Sequence, residues 1–411
     1  MNILEDITKR GIFKQISNLE KFNSLVPENT GVYIGFDPTA KSLHLGNYVQ
    51  ISILKRFQNA GFKAYALIGG ATGMIGDPSF KDAERTLLDN KTVIENKNNI
   101  KKQLEKFGLT VLDNYDFYKN MNVIDFLRDV GKLLNVSYML SKDSVANRIN
   151  SGLSFTEFSY QLLQGWDFYS LYKKHNILLQ LGGSDQWGNI TSGLEIISKL
   201  EGDNHKAVVI TSNLLLDDNG KKYGKSTGGG SLWLDKKMNS PYNMYQFLLN
   251  QPDSKIEELL KWLTFIPLDE IEKIIKKHNE NPSLHYAQNI LASEVIKDIH
   301  GLEELEIAQE ITKILFDKNY DLKQLKPSSL KKLEPYLPTV TLEKNMNIVE
   351  QLIEAKVILS KREAREFINT NALKIDGQPL LENTNYEPKN YEGKYAFLNK
   401  GKKQIWLIKT K

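Results

Sequence analysis

Residues 31–70, GVYIGFDPTAKSLHLGNYVQISILKRFQNAGFKAYALIGG, decide how the chain folds. Residues 30–36 and 62–70 are short runs of apolar, β-branched and aromatic side chains, the pattern of buried strands. Between them residues 45–60 have helical periodicity that stops at Gly61. Strand, helix, strand in that order is a βαβ unit, whose two strands run parallel. Similar apolar runs recur at 177–183 and 207–216, with helical patterns at about 92–106, 121–134, 154–173 and 190–200. The expectation is an α/β domain with a parallel sheet over residues 1–220, carrying a helical insertion at about 115–175.

Further along, residues 217–231, DDNGKKYGKSTGGGS, are polar and glycine-rich, as in a mobile loop. Residues 221–240 form this loop and its connection. Residues 241–325 have helical periodicity and no convincing strand. Prolines at 327, 335 and 338 make 326–345 a linker, and 346–411 a small module of two short helices followed by strand-like runs.

The composition narrows the classes of function. The chain has 411 residues, 41% hydrophobic and 25% charged, which fits a globular protein of several domains. It has no cysteine, which excludes disulfides, thiol catalysis and thiolate metal sites. No apolar run approaches the ~20 residues that span a bilayer, and the start, MNILEDITKRG, is too polar for a secretory signal. Cytoplasmic residence is expected. Residues 346–411 hold 12 Lys+Arg against 8 Asp+Glu, so the whole net charge of +4 lies there. A small basic module suits RNA, although charge alone fits a solvated lysine-rich tail somewhat better.

Five stretches have residue types that can do chemistry together. In the first, Gly35, Asp37 and Thr39 follow a strand, and His44, Gly46 and Asn47 open a helix. Ligands of open α/β sheets lie beyond the carboxyl ends of strands, and helix N-termini suit phosphates. His44 can donate to a phosphate oxygen, and Gly46 lets a flat ring approach the backbone. A capping histidine and a packing glycine would leave the same residues. The second, GGATGMIGDPSFKDAER at 69–85, adds Asp77, Lys81 and Arg85 on a glycine-rich loop that fits neither the Walker nor the dinucleotide spacing. In the third, Ser154 and Glu157 have the capping-box spacing, and Tyr160, Gln164 and Asp167 share one helix face. Large apolar neighbours leave that helix little solvent, so this polar row must find partners. The fourth, QLGGSDQWGN at 180–189, ends a strand with Ser184, Asp185 and Gln186, where a carboxylate suits ribose hydroxyls and a helix cap is the ordinary alternative. The fifth, KKYGKS at 221–226, sets Lys222, Lys225 and Ser226 in a loop that can close over phosphates, although isolated lysines are more often solvated.

Together these stretches resemble the bacterial-type tyrosyl-tRNA synthetases, a class I aminoacyl-tRNA synthetase family, over essentially the whole length. HLGN at 44–47 resembles the HIGH motif and KYGKS at 222–226 the KMSKS motif. GGATGMIGDPS, FTEFSYQLLQGWDF and LGGSDQWGNI are similar to family blocks around the tyrosine and adenylate sites. The resemblance implies a Rossmann-like catalytic domain, an all-α anticodon-side domain and a small α+β domain of the S4 RNA-binding type. It also implies two half-reactions. Tyrosine's carboxylate attacks the α-phosphate of ATP, expelling pyrophosphate, and the 3′-terminal ribose of tRNA(Tyr) then takes the tyrosyl group.

By the same resemblance, Tyr33 and Asp167 would bracket the substrate phenol. Asp77, Tyr160 and Gln164 would hold its ammonium group, with Gln186 and Gln180 at its carboxyl end. Gly35, Asp37, His44, Gly46, Asn47 and Asp185 would meet ATP. Thr39, His44, Lys81, Arg85, Lys222, Lys225 and Ser226 would stabilise the departing phosphates. Lys361, Arg362 and Arg365, in SKREAREFINTNALKIDGQ at 360–378, would face RNA. ATP would enter as substrate with Mg²⁺, with no tightly bound cofactor and no protein metal site, and the enzyme would be a homodimer with its interface near 115–150. Three residues depart from the family pattern: Asn47 for the last histidine of HIGH, Ile34 for a polar residue near the ribose, and Phe80 for a glycine. The related tryptophan enzyme, and an RNA-binding protein that keeps the fold without catalysis, are the alternatives.

Overall fold

The computed structural model describes residues 2–77, 88–142, 145–146, 149, 152–224, 232–317, 319–401 and 404–411. They fall into two compact units: Met1–Asn239 with Leu249–Leu291, and Ser240–Leu248 with Ala292–Lys411.

The first unit is built on a six-stranded sheet. Its strands are β1 (Phe13–Ile16), β2 (Gly31–Phe36), β3 (Lys63–Ile68), β4 (Thr110–Asp113), β5 (Ile177–Gly183) and β6 (Val208–Ser212), in spatial order β1-β6-β5-β2-β3-β4. All pairs are parallel except β1 with β6. β2, β5 and β6 are buried almost throughout, as continuous apolar runs require of a sheet covered on both faces. The helix Leu45–Asn59 joins β2 to β3, and Gly61, at φ +95°, makes the turn that ends it. The helix Phe155–His175 starts where Ser154 Oγ accepts the Glu157 N–H at 3.2 Å. It ends at Asn176 in the left-handed region. The segment expected to be helical at 121–134 is a single turn, Val123–Asp125, followed by a π-helical turn, Phe126–Val130.

Two strands of this sheet escape the sequence reading, β1 and β4. Both are four residues long, half-buried and at the sheet's edges, so neither has the apolar run of a central strand. Two buried arginines, Arg10 and Arg56, hold the end of the helix Asp253–Leu263 in the same unit. Arg10 donates to the Lys261 and Ile266 carbonyls at 3.2 and 2.9 Å. Arg56 donates to those of Lys261, at 3.0 Å, and Thr264. Carbonyls left over at a helix end are thereby satisfied by charged donors.

The second unit has a five-stranded sheet, in order β7-β11-β10-β8-β9, of β7 (Thr339–Leu342), β8 (Leu373–Ile375), β9 (Gln378–Pro379), β10 (Tyr395–Lys400) and β11 (Gln404–Thr410). The expected short helices are Ile348–Glu354 and Lys361–Asn369. The stretch 326–345, expected as a linker, is ordered instead. It contains the helix Pro327–Leu333 and strand β7, and Leu330, Leu333 and Leu337 are buried in the unit's core. Its prolines misled because Pro327 opens a helix and Pro335 a 3₁₀ turn, positions where the missing N–H costs nothing.

Candidate active site

The chain order reverses between β2 and β5: β2 is followed on one side by β3, while β5 on its other side leads to β6. Such a switch point opens a crevice at the strand ends. A cavity of about 350 Å³ lies there, lined by Tyr33 and Gly35 of β2, Gln180 of β5 and residues of the helices that follow. Tyr33 and Gln180 are register partners across the two strands. Asp37, Thr39, His44, Gly46, Asn47, Asp77, Tyr160, Gln164, Asp167, Asp185, Gln186 and Lys222 also line it, so five separated stretches of chain converge on one space. Ile34 is a lining residue too. Lys81, Arg85, Lys225 and Ser226, with Phe80, lie outside the described residues.

One end of the cavity is closed. Asp167 is 2% exposed and accepts from Tyr118 Oη at 2.6 Å and Asn114 Nδ2 at 2.9 Å. Burial pushes its carboxyl up to about 7; the bonds from Tyr118 and Asn114 resist the shift, and the negative charges of Asp37 and Asp113 add to it. Tyr33 is 1% exposed, tilted against the Phe168 ring, and its hydroxyl has no hydrogen-bond partner among the described residues. Burial, then the Asp167 charge, raises its hydroxyl well above the usual tyrosine range. Gln164 Oε1 and Gln180 Oε1 are also buried without a partner. Each such atom costs about 1–3 kcal/mol unless an occupant supplies the missing bond. The cavity therefore favours a ligand with several polar groups.

Beside this end runs a chain of hydrogen bonds. Asn114 Nδ2 donates to Thr72 Oγ1 at 3.0 Å, Thr72 Oγ1 to Asp37 Oδ1 at 2.8 Å, and Tyr160 Oη to Asp37 Oδ2 at 3.0 Å. Gly69 is glycine because a Cβ there would stand 2.0 Å from Asp37 Oδ1 and 2.3 Å from Thr72 Oγ1. Asp77 accepts from Gln186 Nε2 at 3.0 Å and Asn189 Nδ2 at 3.2 Å. Asp37, Asp77 and Asp167 thus give this region a negative field suited to a cation.

The other end is more open. His44 caps the helix Leu45–Asn59: its Nδ1 accepts the Asn47 N–H at 3.3 Å, while Asn47 Oδ1 accepts the His44 N–H at 3.0 Å. Nδ1 is then an acceptor, so the neutral ring carries its proton on Nε2. Asn47, the departure from HIGH, is thereby accounted for as the other half of a capping box. Gly46 is pressed by the chain itself, since a Cβ would meet His44 Cε1 and the Tyr223 carbonyl oxygen at 2.9 Å. Tyr223 is buried, and next to it the exposed Lys222 pairs with Asp185. Downstream of the glycine-rich loop, the backbone around Trp233 bonds to the other side of the same segment: Leu45 N to Leu232 O at 2.9 Å, and Leu234 N to Leu43 O at 2.8 Å. The HIGH-like and KMSKS-like stretches are therefore in direct contact.

In the second unit Lys361, Arg362 and Arg365 are exposed on the helix capped by Ser360. Lys361 pairs with Glu350 at 3.3 Å and Arg365 with Glu382 at 2.7 Å. The sequence reading missed Thr72, Asn114, Tyr118 and Asn189. Asn114 and Tyr118 follow β4, the edge strand that periodicity did not show.

A family profile described as tRNA synthetases class I (W and Y) matches residues 27–317. A second, for the C-terminal domain of SYY-like tyrosine–tRNA ligases, matches 329–408. The tyrosine–tRNA ligase of Mycoplasmopsis agalactiae is 59% identical over 410 residues, covering all of both chains. That of Ureaplasma urealyticum is 47% identical, covering 99% of this chain and 98% of its own. The C-terminally truncated mitochondrial tyrosyl-tRNA synthetase of Coccidioides posadasii superposes with a TM-score of 0.67 at 30% identity, over 76% of this chain and 92% of its own. An Archaeoglobus fulgidus tyrosyl-tRNA synthetase complexed with L-tyrosine shares the fold, with a TM-score of 0.57 at 16% identity over 74% of this chain and 100% of its own.

Proposed function

The chain belongs to the tyrosyl-tRNA synthetases, class I ligases that activate tyrosine with ATP and pass it to tRNA, and from that premise we propose how its residues divide the work. The phenol of tyrosine enters the closed end, where it donates to Asp167 and accepts from Tyr33. The observation that carries this is the Tyr33 hydroxyl, fully buried, without a hydrogen-bond partner among the described residues, and within the field of the buried Asp167 carboxylate. Phenylalanine would leave both groups unsatisfied. Enzymes of this family are themselves the standard example of such discrimination, at about 10⁵ without editing.

The ammonium group meets the negative field of Asp77 and the Asp37–Tyr160 pair, with Gln164 beside it. Gln186, backed by Gln180, holds the carboxyl end. The carboxylate oxygen attacks the α-phosphorus of ATP in line, the bond to the pyrophosphate oxygen breaks, and its electron pair leaves with pyrophosphate. His44 Nε2–H donates to a phosphate oxygen as charge develops, with Thr39 nearby, and Lys222 releases Asp185 to meet the leaving phosphates. Asp185 is then available to the ribose, and Gly35, Gly46 and Asn47 shape the nucleotide's path. Lys81, Arg85, Lys225 and Ser226 keep the phosphate-binding roles that their motifs imply. Mg²⁺ enters with ATP, held by phosphate oxygens and water. Among the described residues no cluster of three or more acids or histidines is arranged to hold a metal.

Residues 1–220 act as the catalytic domain, 241–325 as the anticodon-side region and 346–411 as an S4-like RNA-binding domain, in which Lys361, Arg362 and Arg365 meet tRNA phosphates. The enzyme works in the cytoplasm as a homodimer; among the described residues no helix is long and apolar enough to cross a membrane. Support for the dimer comes from the helical insertion, where Val123, Ile124, Val136 and Phe155 are each 60% or more exposed. Ile124→Asp should yield monomers in analytical ultracentrifugation. Amino-acid-dependent ATP–pyrophosphate exchange tests the site as a whole. Exchange with tyrosine, but not phenylalanine or tryptophan, is expected, and it should vanish in Asp167→Ala.

A further inference from the structure

Tyr118 ends a short helix, Tyr115–Tyr118. Its hydroxyl oxygen lies 2.6 Å from Asp167 Oδ1 and 2.8 Å from the Leu163 carbonyl oxygen. A phenol has one proton, and here it faces two acceptors. The shorter distance belongs to the carboxylate and falls in the range of charge-assisted O–H···O⁻ bonds, so the proton points at Asp167. Asn114 Nδ2 donates to the other carboxylate oxygen at 2.9 Å. Each oxygen thus takes one protein donor and keeps acceptor capacity for a substrate.

The charged groups around Asp167 do not favour its ionised form. Asp37, beyond β2, and Asp113, at the end of β4, push its carboxyl in the same direction as burial does. Lys97, the nearest cation to Asp113, is held on that residue at 2.7 Å. Tyr33 and Tyr160, facing from β2 and from the Asp167 helix, are neutral, both held well above the usual tyrosine range. Opposing all this are two hydrogen bonds, of which the one from Tyr118 is the larger influence.

We propose that Tyr118 is a positioning residue that determines specificity: by donating to Asp167 it favours the ionised carboxylate and keeps it aimed at the substrate phenol. The inference rests on the reading of Asp167 as the phenol acceptor. A protonated Asp167 accepts poorly, so tyrosine would lose its main polar contact while phenylalanine, which has no hydroxyl, would lose nothing. Removing the Tyr118 hydroxyl should therefore weaken tyrosine selection, and only where Asp167 takes up a proton.

The test is tyrosine- and phenylalanine-dependent pyrophosphate exchange from pH 6 to 9.5 with wild type, Tyr118→Phe and Asp167→Asn, each checked for folding by its melting temperature. For Tyr118→Phe, kcat/KM with tyrosine should fall about tenfold near pH 7, the scale of one hydrogen bond to a charged group. It should recover to within about threefold above pH 9, its acid limb having moved up by about one pH unit. The phenylalanine value should not change. Tyr118→Leu, with a different shape, should show the same pH signature. An equal loss at every pH and for both amino acids would assign Tyr118 to packing alone and overturn the proposal, as would no loss. If Asp167→Asn loses tyrosine selection and Tyr118→Phe keeps it, only the role of Tyr118 fails. If Asp167→Asn keeps it, the reading of Asp167 is wrong.

Discussion

At the Tyr33–Asp167 end of the cavity, polar atoms are buried and some have no partner among the described residues. At the His44–Lys222 end, polar groups are more exposed and already engaged with one another, His44 with Asn47 and Lys222 with Asp185. The difference fits what each end is proposed to handle. A phenol must be recognised by an oxygen and a proton in fixed places, and a dry, rigid site makes a mismatch expensive. A triphosphate carries large charge that moves during reaction. Groups facing it gain from having an internal partner that they can exchange for the substrate when it arrives. On the proposed roles, the first end is built for selection and the second for rate.

The sharpest way to break that division is Asp167→Asn. In pyrophosphate exchange, kcat/KM for tyrosine should fall by roughly 10³-fold or more, and that for phenylalanine by far less. A similar loss for both would mean that this end supplies rate as well. Next in size, His44→Ala should lower kcat by about 10²-fold and move the tyrosine KM less than threefold. A large KM effect would tie the two ends together.

A third check uses stability in the absence of substrate. Folded Asp167 keeps its proton up to about pH 7, whereas an unfolded aspartic acid loses it near pH 4. The stability associated with that raised value is fully present below about pH 4 and is lost as pH rises through 7. Asp167→Asn should therefore melt roughly 3–6 °C higher than wild type above pH 7, and the difference should close toward pH 4. A specificity residue that costs stability is what a buried selection site predicts; equal melting curves would contradict it. The smallest effect belongs to Asn47→Ala. It removes half of a helix cap, the bond that Asn47 Oδ1 accepts from the His44 backbone N–H, worth about 1 kcal/mol, but keeps the backbone N–H that orients the His44 ring, so kcat should drop a few-fold at most with little change in melting temperature.

Much of the site was legible before the fold. Tyr160, Gln164 and Asp167 follow from helical spacing, and Asp185 and Gln186 from their place after a strand; all five line the cavity. Tyr118 and Asn114 were not legible, because their importance comes from Asp167, 49 and 53 residues away. Gly46 was legible as a glycine that something must approach. That the Tyr223 carbonyl approaches it, from the far end of the domain's sequence, was not.

The sequence by itself determined the βαβ unit, the order of strands and helices through most of the first 220 residues, the two motif-bearing loops and the location of the excess positive charge. These depend on periods of two and 3.6 residues, on turn chemistry and on counting, all of which act over short distances along the chain. Tertiary structure decided the rest: that β1 and β4 close the sheet's edges, that residues 326–345 fold into a core, and that Arg10 and Arg56 hold the end of a helix 251 and 205 residues away. It also set the Tyr118 hydroxyl against the carboxylate of Asp167, which we propose reads the substrate. These features depend on burial and on partners distant in sequence, and a polar side chain's worth in a dry interior is set by the groups it meets there.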